Sequence, residues 1–242
     1  MKKESAFEKS DMLFSCITDE IIHIKMKDKR SLADAMCRIQ EYYESPFPEI
    51  KGKIFTLGQL RAAGSRNMKG VFTYRGGLTY DADWSGFNWP SEALEPFIRG
   101  LFDPLTPYEQ DIVDALKCKQ GRFYVIGTYG EEDPAGAIDH EICHALYSSK
   151  DEYKKEVDQA LCCYKDELVN LKNMLRYWGY CEEVLDDECH AYISADYDWL
   201  FEENEKDIKK FDVSVNKALH LELREIKSRH FKEESNDSEN KN

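Results

Sequence analysis

The chain has 242 residues, 42% hydrophobic and 12% aromatic, enough to build a core for one compact domain of ordinary size or two small lobes. Acidic residues outnumber basic ones 47 to 33, for a net charge of −14, which excludes the basic footprint that holds nucleic acid or an anionic membrane surface. No run approaches 18 apolar residues, and no secretory apolar core follows Met1-Lys2-Lys3-Glu4-Ser5, so neither a transmembrane helix nor a signal peptide is predicted.

The eight cysteines show no CxxC and no small-framework spacing. They read as reduced thiols of a cytosolic protein, with signal-independent export left open.

In chain order, segment 12–26 ends in the alternation Ile22-His23-Ile24-Lys25-Met26 and reads as strand or helix. Ser31 is placed to N-cap a helix to about Tyr43, with Leu32, Met36, Ile39 and Tyr43 on one face. The stretch 49–130 has β character. Strands are predicted over Lys53-Ile54-Phe55-Thr56-Leu57 and Gly70-Val71-Phe72-Thr73-Tyr74, the second turning through Arg75-Gly76-Gly77 into Leu78-Thr79-Tyr80. Thr106-Pro107-Tyr108-Glu109 is a capping box with proline at the first helical position, opening a helix to about Lys117. A further strand is predicted over 122–129. From Pro134 onward the pattern is helical, with Asp133 as N-cap of the first helix. One long helix is predicted from about Asp151 to Trp178, stopped by Gly179. A second carries Glu188 to about Leu200, and a third covers 213–231. The apolar-free stretch from Glu233 reads as a frayed tail.

The chemistry concentrates in His140-Glu141-Ile142-Cys143-His144, an HExxH pattern. At 3.6 residues per turn the two histidines share one helix face, so each can give one nitrogen to a tetrahedral zinc. Glu141, about 100° round the helix, reaches a water without ligating the metal. Ala137, Ile138, Ile142, Ala145 and Leu146 supply an apolar flank, so the helix is half buried. A third ligand is sought downstream in Asp186-Asp187-Glu188-Cys189-His190-Ala191-Tyr192-Ile193-Ser194-Ala195-Asp196. Glu188 is the first candidate; His190, Asp187 and Glu183 are rivals. Cys143 reads as packed rather than metallated. His23 and His230 read as solvent-exposed, and nothing marks His190 or His220 as assisting catalysis.

HExxH followed by a helical Glu-x-x-Ala-x-x-x-Ala resembles the gluzincin metallopeptidases over residues 134–196, with Glu188, Ala191 and Ala195 matching the second element. Tyr192 stands where many members carry Asp or Asn, so either a hydrogen bond to the site or stabilisation of the oxyanion is open to it. The resemblance implies an α+β zincin-like fold, a small mixed sheet lobe followed by a helical lobe. It implies a single catalytic domain over 1–231, with an N-terminal extension 1–48, an α/β part 49–130 and a helical part 131–231, then a disordered tail 232–242. In such folds a strand ahead of the HExxH helix pairs with an extended substrate; 122–128 occupy that place, and an internal strand is the alternative. The implied activity is hydrolysis of a polypeptide, with Zn2+ on His140, His144 and Glu188, Glu141 as general base and Tyr192 assisting. A zinc-binding regulator on the same fold, or a structural helical module with an accidental HExxH, are the alternatives.

Overall fold

The computed structural model describes residues 8–9, 11–45, 47–66, 86–130 and 136–239, so the predicted hairpin at 70–80 and the predicted cap Asp133-Pro134 lie outside the described residues. The protein is of mixed α+β class. The chain divides into two compact units, 1–134 and 135–242.

The first unit is built on a five-stranded mixed sheet. Its strands are β1 (Glu8–Lys9), β2 (Met12–Cys16), β3 (Ile21–Met26), β4 (Phe87–Pro90) and β5 (Tyr124–Tyr129), in the order β1-β2-β3-β5-β4. Segment 12–26 is thus a hairpin, with Met12 opposite Met26 and Cys16 opposite Ile22. Thr18 Oγ1 accepts from the backbone N–H groups of Glu20 and Ile21, which closes the turn. Because β2 and β3 come from residues before 49, the predicted N-terminal extension is an integral part of the sheet. β5 pairs in parallel with β3 and antiparallel with β4. Both of its edges are used, so the strand expected to offer unpaired backbone to a substrate is an internal one.

Helix α1 (Lys29–Glu44) starts three residues earlier than the Ser31 cap predicts, since the carboxylate of Asp28 accepts from the N–H of Ser31. It lies close on the sheet at Gly127, where an added Cβ would come within 2.5 Å of Met36 Cε. In place of the predicted strand 53–57 the chain is irregular over 53–56, and α2 (Leu57–Arg66) begins at the strand's last residue. Thr56 and Gln59 exchange side chain-to-backbone bonds of 3.2 and 2.8 Å, a capping box that outweighs the β character of Ile54 and Phe55 before it. After α3 (Ser91–Ile98), α4 (Pro107–Leu116) carries the Thr106–Glu109 capping box as predicted. Glu109 also meets Arg38 of α1: Arg38 Nε donates to Glu109 Oε1 at 2.7 Å, and Nη2 to Oε2. Both side chains are buried.

The second unit is helical, with α5 (Ala137–Ser149), α6 (Asp151–Cys163), α7 (Leu168–Trp178), α8 (Leu185–Ser194), α9 (Tyr197–Glu202), α10 (Glu205–Phe211) and α11 (Lys217–Glu239). The helix predicted over 151–178 is two helices. From Cys162 to Glu167 every side chain but Tyr164 is exposed, so no burial holds that stretch helical, while Leu161 and Leu168 stay in the core. Gly179 ends α7 at φ 110°, as predicted. The helix predicted to carry Glu188 and continue to about Leu200 divides at 195–196, and the last helix runs to Glu239, through most of the stretch expected to be a tail. Among the described residues no helix is long and apolar enough to cross a membrane. None of the eight cysteines forms a disulfide.

Candidate metal centre

Two helices of the second unit, α5 and α8, pack together and supply the site. The helix α5 begins at Ala137 after Gly136, whose φ of 73° only glycine adopts without strain. Ile142, Cys143, Ala145 and Leu146 bury its apolar side, and Cys143 is packed, with its thiol donating to the Asp139 carbonyl at 3.4 Å. One helical turn apart, His140 and His144 bring their Nε2 atoms to 3.0 Å from each other. Glu188 of α8 faces both, its Oε2 3.8 Å from His140 Nε2 and its Oε1 3.7 Å from His144 Nε2. Among the described residues, His140, His144 and Glu188 form the group able to hold a metal ion, their donor atoms lying within 4.8 Å of one another.

The outward nitrogens are equally defined. His140 Nδ1 meets Asp196 Oδ2 at 2.6 Å, and His144 Nδ1 meets Asp187 Oδ1 at 3.0 Å. A carboxylate beside each Nδ1 assigns the proton there and leaves the Nε2 lone pairs directed at each other and at Glu188. Three electron-rich groups in a buried space repel unless a cation lies among them. Glu188 is 8% exposed, and its Oε2 is buried without a hydrogen-bond partner. An orphaned carboxylate oxygen there is costly unless a metal or a proton satisfies it. The donor set of two imidazoles and a carboxylate, each imidazole backed by a second carboxylate, fits a divalent metal ion.

Without a metal, protons do part of that work. Burial raises the Glu188 carboxyl above its ordinary value, against the pull of both imidazoles. Burial alone would lower His144, but the charges of Asp187 and Glu188 outweigh it and hold the ring well above its usual range. For His140 the hydrogen bond that its Nδ1–H donates to Asp196 likewise overcomes burial. Burial would raise Asp187, yet the facing His144 and His190 rings hold it far below the carboxylate range.

The sequence-predicted residues His140, His144 and Glu188 are brought together. Glu141 is buried on the same helix. Tyr192 lies beside the cluster, its ring edge-on to His140 at 4.8 Å, but its hydroxyl bonds to Tyr180 at 3.0 Å rather than to a histidine. The carboxylate contact to His140 is made instead by Asp196. Burial and the charge of Glu188 hold both tyrosine hydroxyls protonated. Two protons and one mutual hydrogen bond leave one O–H free to donate elsewhere.

Of the rival ligands, Asp187 is a partner of two histidines, and Glu183 is exposed. His190 turns away from the cluster: Nδ1 meets the Asp187 carbonyl at 2.9 Å, and Nε2 meets the Tyr153 hydroxyl at 2.8 Å. His23 and His230, expected at the surface, are 8% and 7% exposed; His23 bonds Thr128 at 2.7 Å and His230 bonds Glu156 at 3.2 Å. His220 donates to the Ile193 carbonyl, a structural role.

Sequence reasoning missed Asp196 and Tyr180. Asp196 stands at the N-cap position of α9 but makes no side-chain capping bond, because its carboxylate is directed at His140. A cap that does not cap shows only in three dimensions. Comparison of the chain with family models, with curated proteins and with solved structures finds no match.

Proposed function

We propose that the protein is a zinc-dependent metallopeptidase of gluzincin type, with the metal held by His140, His144 and Glu188. The observation that carries the reading is the convergence of two imidazole Nε2 atoms on a carboxylate with an orphaned oxygen, on the helix that also carries Glu141. When bound, zinc would supply Lewis acidity, polarising the scissile carbonyl and lowering the pKa of a water to about 7. Asp196 and Asp187 fix the two rings and keep their protons on Nδ1. Glu141 takes the proton of the attacking water and returns it to the leaving amine. The spare O–H of the Tyr180–Tyr192 pair donates toward the oxygen that gains negative charge. The substrate is an extended polypeptide, and the net charge of −14 favours neutral or basic segments.

A second reading, a zinc-binding regulator with little proteolysis, is favoured by one observation: both edges of β5 are already paired, so it cannot dock a substrate backbone. The two readings separate on Glu141→Gln, which keeps size and hydrogen bonding but removes the base. On the peptidase reading zinc content and thermal stability persist while hydrolysis falls about 10²–10⁴-fold. The measurement is a proteome-wide comparison of new peptide termini made by wild type and by Glu141→Gln at matched zinc occupancy. No Glu141-dependent termini would leave the regulator as the better account. Loss of zinc from the variant would make Glu141 a ligand or a support instead.

A further inference from the structure

We infer that His190 is a positioning residue of the metal centre, acting through the Asp187 carboxylate to set how tightly His144 holds zinc. The inference rests on the metal-binding part of the function proposed above and needs no hydrolysis.

One oxygen, Asp187 Oδ1, serves two rings, at 3.0 Å from His144 Nδ1 and 3.2 Å from His190 Nδ1. His190 Nδ1 also lies 2.9 Å from the Asp187 carbonyl. Both neighbours are acceptors, so Nδ1 carries the proton and donates to them. Nε2 lies 2.8 Å from the hydroxyl of buried Tyr153. Tyr147 stacks on the ring at a centroid distance of 5.2 Å and 22°. His190 is 0% exposed and held at both nitrogens and on one face, so its ring has no freedom to turn.

Asp187 does have such freedom. Its side chain is 24% exposed, within reach of water that competes with His144 for the carboxylate. The second hydrogen bond from His190 holds Oδ1 where His144 needs it. Released from His190, the carboxylate can rotate into solvent, and the His144 ring loses the partner that fixes its tautomer and aim. Metal-ligating histidines deprived of such a partner bind their metal about 10–100-fold more weakly.

Two substitutions divide the ring's functions. Asparagine places its amide nitrogen near the Nδ1 position and keeps the donor to Asp187; glutamine reaches the Nε2 position and loses it. Zinc affinity is read by competition with a chromophoric chelator, and ligand geometry by the visible spectrum of the cobalt-substituted protein. His190→Asn should bind zinc within about threefold of wild type, while His190→Gln binds about tenfold more weakly and shifts the cobalt spectrum. Equal affinity of His190→Gln and wild type would overturn the inference. So would equal weakening of both variants, because a packing role does not distinguish the two nitrogens.

If neither variant folds, the wild type answers instead. Its imidazole ¹H–¹⁵N spectrum should show a protected His190 Nδ1–H whose shift moves when zinc is added. An unmoved His190 signal while zinc binds would overturn the inference alone. A wild type that binds no zinc removes the metal reading and this inference with it.

Discussion

Two buried polar clusters, one in each unit, are arranged in opposite ways. In the sheet unit two pairs close on each other: Arg38 and Glu109 form a two-pronged ion pair, with Arg38 Nη1 also donating to the Phe102 carbonyl at 3.3 Å, and His23 meets Thr128. Donor faces acceptor, so nothing further is required. In the helical unit the buried groups at the α5–α8 contact face like with like, two Nε2 lone pairs and a carboxylate whose Oε2 is orphaned. The first arrangement is complete as polypeptide; the second is complete only with a cation or with protons held at raised affinity. Burial of charge therefore says little about function by itself. The pairing of signs inside the buried group says more.

The largest expected effect tests the closed arrangement. Arg38→Ala leaves Glu109 buried without its guanidinium and should cost about 3–5 kcal/mol in denaturant unfolding. The loss includes the contacts of the Arg38 head group with Phe97 and Phe102, at 5.8 and 5.4 Å. A cost under about 1 kcal/mol would mean that water replaces the guanidinium freely, and the contrast between the units would lose its first half.

The second effect tests the open arrangement. Zinc at a hundredfold excess over its dissociation constant should stabilise the folded protein by about 2.7 kcal/mol. Hydrogen exchange should slow in α5 and α8, with the slowest amides of β3 and β5 unchanged. His140→Ala, His144→Ala and Glu188→Ala should each abolish the effect. An equal response in β3 and β5 would show that the units open together, and no response anywhere would show that protons alone complete the cluster.

How much of this contrast was legible beforehand follows from the range of each interaction. The HExxH helix, the Thr106 capping box and the Gly179 stop are local, set by residues within one or two turns. Glu188 was reachable because it lies on its own helix at recognisable spacing from Ala191 and Ala195. Asp196 falls beyond the end of α8, where helical periodicity no longer carries, and Tyr180 precedes that helix in an irregular segment. The expected strand at 53–57 fails for a related reason: the β character of Ile54 and Phe55 points to a strand, but the Thr56–Gln59 box acts on the next ten residues. The internal place of β5 was equally out of reach, because a parallel neighbour more than 100 residues distant leaves no trace in the strand itself.

The smallest effect concerns pH. Burial, aided by the charge of Lys25, pushes the His23 pKa down from 6.5 to about 4. The folded state thus holds His23 neutral at pH values where the unfolded chain protonates it. The unfolded state binds more protons across that window, so stability is full above pH 6.5 and is lost as pH falls toward 4. At pH 5.5 the expected loss is about 1 kcal/mol. The clean measurement is denaturant unfolding at pH 7.5 and 5.5 for wild type and His23→Gln, since carboxylate contributions common to both proteins cancel in the difference. Wild type should lose about 1 kcal/mol more than the variant. Equal losses would mean that His23 takes up its proton inside the sheet unit as easily as outside it. Its bond to Thr128 would then be an open contact with solvent, and of the two pairs only Arg38–Glu109 would remain closed.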